Sequence, residues 1–187
     1  MKKIGVFLYQ GAGNLHIKAL VDLGFDPVAI DYDSKFPYEV DGLILPGGES
    51  SVQYIYCKQN GMFEKIIEFA SSKKPILGTC AGAILLSNYT SEKVNGMKLI
   101  DIKIARNFYG PQLKSGMMKS DTGRDVFFIR APGILDVGKN VQILDTYKKS
   151  PIFVKYNNIY CTIFHPELHK RDSNNEIYQI FNDTIKI

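Results

Sequence analysis

The sequence predicts an α/β fold, an open, mixed but mostly parallel sheet flanked by helices. Three observations predict it. Through roughly the first 90 residues, short apolar runs bounded by Gly or Pro alternate with segments of helical period. That alternation calls for parallel strands joined by crossover helices. Beyond it the chain is richer in strands than in helices, which adds the mixed character.

Residues 4–9 form a short apolar run bounded by Gly and read as a buried strand. Residues 10–14 (Gln-Gly-Ala-Gly-Asn) read as a turn. Leu15, Ala19, Leu20 and Leu23 recur at helical spacing and stop at Gly24. Residues 28–30 and 42–45 are the next strands, the second ending at Pro46-Gly47-Gly48. Residues 45–51 follow that strand and open a helix, and Phe63, Ile66, Ile67 and Phe69-Ala70 fit another after Gly61. Residues 75–77 are a strand running into Gly78. Five further strands are expected at 98–105, 125–130, 141–147, 152–156 and 159–164, and a closing helix over 174–185. Residues 110–124, rich in Gly, Ser, Lys and Asp, read as an exposed loop, with an active-site flap or docking surface as the sharper alternative.

The chain has 187 residues, which fits one domain spanning 1–187. At 45% hydrophobic and 22% charged it is neither disordered nor fibrous. The net charge of +4 is spread among interleaved acids and bases, so no nucleic-acid partner is expected. No apolar run is long enough to span a membrane. Met1-Lys2-Lys3 before an apolar run imitates a signal peptide, but Gln10-Gly11 interrupts it and no cleavage pattern follows. Cys57, Cys80 and Cys161 are too few and too scattered for a disulfide framework or a zinc site. A reducing, cytoplasmic location is therefore expected, with no metal and no cofactor.

The most informative segment is Gly78-Thr79-Cys80-Ala81-Gly82, between a short strand and a helix. It has the form of a nucleophile elbow with Cys in place of Ser. A side chain pushed out at so tight a turn needs neighbours without Cβ atoms. A thiolate at a helix N-terminus is favoured by the helix dipole. The pentapeptide alone reads equally as a small buried residue in a turn. Cys57 reads as a helix residue and Cys161 as a strand residue.

A thiolate nucleophile needs a base, and the base an orienting group. His16 near a helix start and His169 in a polar tail read as surface residues. His165 ends an apolar strand, where α/β enzymes place their chemistry, and Glu167 lies two residues on. A strand-end histidine beside a solvated carboxylate is the plainer reading, and the elbow tips the balance to Cys80, His165 and Glu167. Residues 45–51 (Leu-Pro-Gly-Gly-Glu-Ser-Ser) supply backbone N–H groups that suit an oxyanion together with the amide of Ala81. No phosphate-binding glycine motif is complete.

Taken together, these segments resemble the class I (triad) glutamine amidotransferases, whose nucleophile segment looks like residues 78–82 and whose His-Pro-Glu segment looks like residues 165–167. Within that class most of the chain is similar to the glutaminase subunits of pyridoxal 5′-phosphate synthase. The supporting segments are Gln10-Gly11, residues 45–50, Arg106-Asn107-Phe108-Tyr109-Gly110, Phe128-Ile129-Arg130-Ala131-Pro132 and Phe164-His165-Pro166-Glu167-Leu168. The resemblance implies a three-layer, flavodoxin-like fold. It implies Cys80 as nucleophile, His165 as base and Glu167 as its orienting group. It implies a glutamine pocket from Gly47, Gly48, Glu49, Ala81, Arg106, Ile129 and Arg130. Gln10 and Asn14 would lie near the interface with a (β/α)8-barrel synthase subunit, which receives the ammonia and builds pyridoxal phosphate from two sugar phosphates. The chemistry suits these types, because an Arg grips an α-carboxylate and a Glu an α-ammonium.

Three segments depart from the family pattern: Pro111-Gln112 replaces Arg-Gln, Ser115-Gly116 replaces Ser-Phe and Leu15-His16 replaces Glu-His; Gly13-Asn14-Leu15 is similar instead to the glutaminase subunit of imidazole glycerol phosphate synthase. They bear on docking and partner rather than on the triad. Three other readings stand beside this one. A glutaminase for imidazole glycerol phosphate synthase or another ammonia user would capture a different partner. A Cys peptidase or other hydrolase would act on peptides or esters and ignore glutamine analogues. A non-enzymatic regulatory module would not turn over glutamine.

Overall fold

The structure, a computed structural model, describes residues 1–110, 116–168 and 176–183. Among the described residues a seven-stranded sheet forms the centre, in the order β2-β1-β3-β4-β11-β10-β9. Its parallel part comprises β1 (Lys3–Phe7), β2 (Asp26–Ile30), β3 (Gly42–Leu45), β4 (Ile76–Thr79) and β11 (Ile159–Thr162). β10 (Ser150–Tyr156) and β9 (Gln142–Tyr147) complete it as antiparallel strands. Mixed sheet and flanking helices agree with the sequence expectation.

The longer crossover helices each bury one stripe. α1 (Gly13–Asp22) buries Gly13, His16 and Leu20. α2 (Ser50–Gln59) buries Ser50, Gln53 and Cys57. α3 (Met62–Ala70) starts at a left-handed Gly61 and buries Met62, Phe63, Ile66 and Phe69. α4 (Ala81–Leu86) is buried along its whole length, which suits a helix with no polar residue. α5 (Glu176–Asp183) packs Tyr178 and Phe181 inside, and Lys2 Nζ donates to the Phe181 carbonyl near its end. Pro27 sits in β2, at the sheet edge, where a missing N–H is tolerated.

Several boundaries differ from the sequence expectation, each for a visible reason. α1 begins at Gly13, within the expected turn. The strand expected over 98–105 is reduced to β5 (Ile102–Ala105). The residues before it instead donate to the end of α4: Met97 N to Leu85 O, Lys98 N to Ser87 O and Leu99 N to Leu86 O. They thereby satisfy carbonyls that a helix end leaves orphaned. The strand expected to reach 130 stops as β7 (Asp125–Phe128), because Arg130 turns the chain at φ 43°. The one expected to reach 164 stops at Thr162, where His165 N leaves to donate to Phe127 O at 2.9 Å.

The stretch read as a loop over 110–124 contains β6 (Gly116–Lys119), which forms a hairpin with β7. Residues 111–115, including Pro111, Gln112 and Ser115, lie outside the described residues, as do His169 and the expected helix ends at 174–175 and 184–185. β8 (Gly133–Val137), paired with β5, was not expected. Among the described residues no helix is long and apolar enough to cross a membrane.

Candidate active site

Three neighbouring parallel strands carry Gly47–Glu49, Cys80 and the His165–Glu167 pair at their C-terminal ends, the usual position in open α/β sheets. Register does the gathering. Leu45 pairs with Gly78 and Thr79 with Thr162, so the residues after β3, β4 and β11 emerge side by side. Cys80 N donates to Thr162 O at 2.8 Å and closes the seam.

The elbow has the predicted strain. Cys80 stands between β4 and α4 at φ 49°, ψ −102°, outside the regions an L-residue prefers. Its two glycines allow it. A Cβ on Gly82 would lie 1.9 Å from the Leu45 carbonyl, and one on Gly78 would lie 2.8 Å from the Gly82 backbone.

His165 and Glu167 meet across the intervening proline, Nδ1 to Oε1, at 2.6 Å. Cys80 faces the same ring. Burial alone would lower the His165 pKa, but the Cys80 sulfur and the Glu167 carboxylate outweigh it and raise it to about 10. Nε2 makes no fully formed hydrogen bond here. Contacts of this kind commonly tighten only with substrate bound. Gly47 fits between the two groups, where a Cβ would lie 2.5 Å from His165 Cε1 and 3.3 Å from Cys80 Cβ.

The cleft above them has a volume of about 140 Å³, some ten times what one water needs. Cys80, Ala81, His165, Gly48, Glu49, Arg106, Ile129 and Arg130 all line it. Glu49 caps α2, accepts from Ser51 Oγ at 2.8 Å and pairs with the Arg106 guanidinium. Partial burial would raise its pKa, but Ser51 and Arg106 outweigh burial and hold the carboxyl below the usual range. Arg106 follows β5 and Arg130 follows β7, each at a tight turn with a left-handed residue, Asn107 at φ 53° and Arg130 itself at φ 43°.

Gln10 and Asn14 do not line the cleft; both are exposed. Gln10 buttresses it from behind. Its Oε1 accepts from Glu49 N at 2.6 Å, and Gln53 Nε2 donates to its carbonyl at 2.8 Å. Ala12 N donates to Gly47 O at 2.9 Å. Gly11, at φ 105°, leaves room for that carbonyl, which a Cβ there would approach to 1.9 Å.

Two residues were misread or missed. His16, read as a surface residue, is fully buried behind Glu167. The signal was present, because His16 shares a helical stripe with Gly13 and Leu20. Asn107, quoted only as part of a motif, lines the cleft.

A strained cysteine, a histidine paired with a glutamate and a charged cleft thus stand together at the C-terminal end of this sheet. The SNO glutamine amidotransferase family model matches residues 6–186, and the chain belongs to that family. Among its relatives is "Pyridoxal 5′-phosphate synthase subunit PdxT" of Thermotoga maritima, 42% identical over 176 residues, 89% of this chain and 92% of that protein. The protein of the same name in Thermosipho africanus is 37% identical and covers 98% of this chain and 99% of its own length. A crystal structure described as a glutamine amidotransferase superposes with a TM-score of 0.83 at 25% identity, over 97% of both chains.

Proposed function

We propose that this chain, as a single amidotransferase domain spanning 1–187, is the glutaminase subunit of a pyridoxal 5′-phosphate synthase. It hydrolyses L-glutamine to L-glutamate and ammonia and passes the ammonia to a (β/α)8-barrel synthase subunit. The carrying observation is the convergence of Cys80 and the His165–Glu167 pair in one cleft with Glu49 and Arg106. Relatives named as subunits of that synthase, across nearly the full chain, support the partner.

In this reading the Cys80 thiolate attacks the side-chain amide carbon of glutamine. Backbone N–H groups near Gly48 and Ala81 hold the resulting oxyanion. His165 hands its proton to the departing ammonia, the C–N bond breaks, and a glutamyl thioester remains. His165 then takes a proton from water, whose oxygen attacks the thioester; glutamate leaves and the thiolate returns. Glu167 holds the imidazole ring in place throughout. Arg106 and Arg130 receive the α-carboxylate and Glu49 the α-ammonium. Ile129 completes the pocket wall.

The synthase is proposed to dock over Gln10 and Asn14. Ala12 and Gln10 hold the Gly47–Glu49 turn by direct hydrogen bonds. A partner that shifts residues 10–14 therefore acts on the turn that supplies oxyanion donors, and turnover rises on assembly. The chain works in the cytoplasm, in keeping with three free buried thiols.

Ammonia release from L-glutamine, with and without the barrel subunit, tests the reading. Slow release alone, a marked rise on assembly and none from Cys80→Ala are expected. Release that ignores the synthase overturns the coupling. Release that survives Cys80→Ala overturns the chemistry.

A further inference from the structure

Behind the triad lies a buried polar chain that the reaction above does not use. The Glu167 side chain is fully buried. Its Oε1 contacts His165, while Oε2 makes no fully formed hydrogen bond. His16 Nε2 hydrogen-bonds Thr79 Oγ1 at 3.3 Å and lies equally near, 3.3 Å, to that second oxygen. On the other side of the ring, Nδ1 lies 2.7 Å from the Tyr178 hydroxyl. Both His16 and Tyr178 are fully buried. A histidine in such a place is costly unless its nitrogens are used.

The neighbours fix the tautomer. A proton on Nδ1 would leave a lone pair on Nε2 facing the lone pairs of a carboxylate oxygen. A proton on Nε2 instead faces Glu167 and Thr79, and the Tyr178 hydroxyl donates to Nδ1. Full burial, with His165 nearby, lowers the His16 pKa against the pull of Glu167, so the ring is neutral near pH 7. The groups facing Glu167 are then His165 from its own turn, His16 from α1, Tyr178 from α5 and the Thr79 hydroxyl beside His16.

We infer that His16 is a positioning residue for glutamine hydrolysis: held by Tyr178 with its Nε2–H toward Glu167, it stops the carboxylate rotating off His165. This rests on the proposed triad. Without that N–H, 3.3 Å away, the second oxygen faces no polar hydrogen from α1, and the carboxylate leaves Nδ1 part of the time. The imidazolium of His165 then loses its proton at a lower pH.

The test compares His16→Leu, His16→Gln and Tyr178→Phe in the full chain assembled with the synthase subunit, by glutamine turnover across pH. His16→Leu is expected to lower kcat about tenfold or more, with KM within about twofold, because orientation rather than binding is lost. Its alkaline limb moves to lower pH. His16→Gln, whose amide N–H can face Oε2, recovers most of the rate, and Tyr178→Phe falls between. An unchanged kcat and limb in His16→Leu overturns the inference. So does a loss shared by all three variants that tracks thermal stability while the limb stays fixed, since that is packing. Glu167→Gln and His165→Asn run alongside. If they keep wild-type turnover, the triad reading itself fails. If they abolish it while His16→Leu is silent, only the role of His16 fails.

Discussion

Glu167 Oε1 lies 2.6 Å from His165 Nδ1, a contact made within one short turn. The pair is local in sequence, but its setting is not. His165 N is held by Phe127 of β7, and the ring is packed against Gly47 after β3. The dyad therefore comes preassembled, and the fold only has to bring Cys80 to it.

The raised His165 pKa gives the first prediction. His165 should titrate near pH 10, well after His16, in a ring-proton NMR titration. Glu167→Gln and Cys80→Ala should each move it down, since both groups favour the imidazolium. A His165 that titrates near its ordinary value of about 6.5 would show that the ion pair does not form.

The expectation for glutamine binding concerns Glu49 and Arg106. Removing one charge-assisted contact costs about 1.5–3 kcal/mol. Glu49→Gln or Arg106→Gln should therefore raise KM roughly ten- to a hundredfold, with a smaller fall in kcat. Initial rates against glutamine concentration check this. A pure kcat effect would remove both residues from the binding pocket.

Gly47→Ala should be inactive with the fold retained. Its Cβ would lie 2.5 Å from His165 Cε1, so the ring must move off its line to Cys80. Overpacking of this kind costs about 1–3 kcal/mol, a modest loss of thermal stability. Thermal melts and turnover together distinguish local displacement from unfolding.

The acid limb of stability also has a sign. His16 and Glu167 both have lowered pKa values in the fold. For each, the unfolded chain binds more protons at acid pH. The stabilisation is thus present above the unfolded values, about 6.5 and 4.3, and is lost as pH falls through the folded ones. Thermal midpoints should fall on acidification below about pH 6.5. His16→Gln should flatten the first part of that fall. An equal slope in wild type and variant would show that His16 is not buried neutral.

Much of this molecule was legible in the sequence, and the reasons are local. The parallel strands are short apolar runs because both faces are covered, and their ends are punctuated by Pro46-Gly47-Gly48 and Gly78. Chemistry gathers at those ends, so the meeting of Cys80 and His165 in one cleft was readable. What resisted reading depends on long-range pairing. β8 mixes buried Gly133 and Ile134 with exposed Leu135 and Asp136, and its pairing with β5 is irregular, so no clean alternation marks it. β6 sits in a polar stretch and is defined only by its partner β7. His16 was misread because its polarity outweighed its position on the buried stripe of α1.

Site-resolved labelling by an electrophile that mimics glutamine shows whether Cys80 is the nucleophile of this cleft. One covalent adduct is expected, on Cys80, slowed by L-glutamine. Cys57, whose thiol burial pushes up to about 12, and the fully buried Cys161 should stay unmodified. Modification of either in place of Cys80, or labelling indifferent to glutamine, would contradict that role.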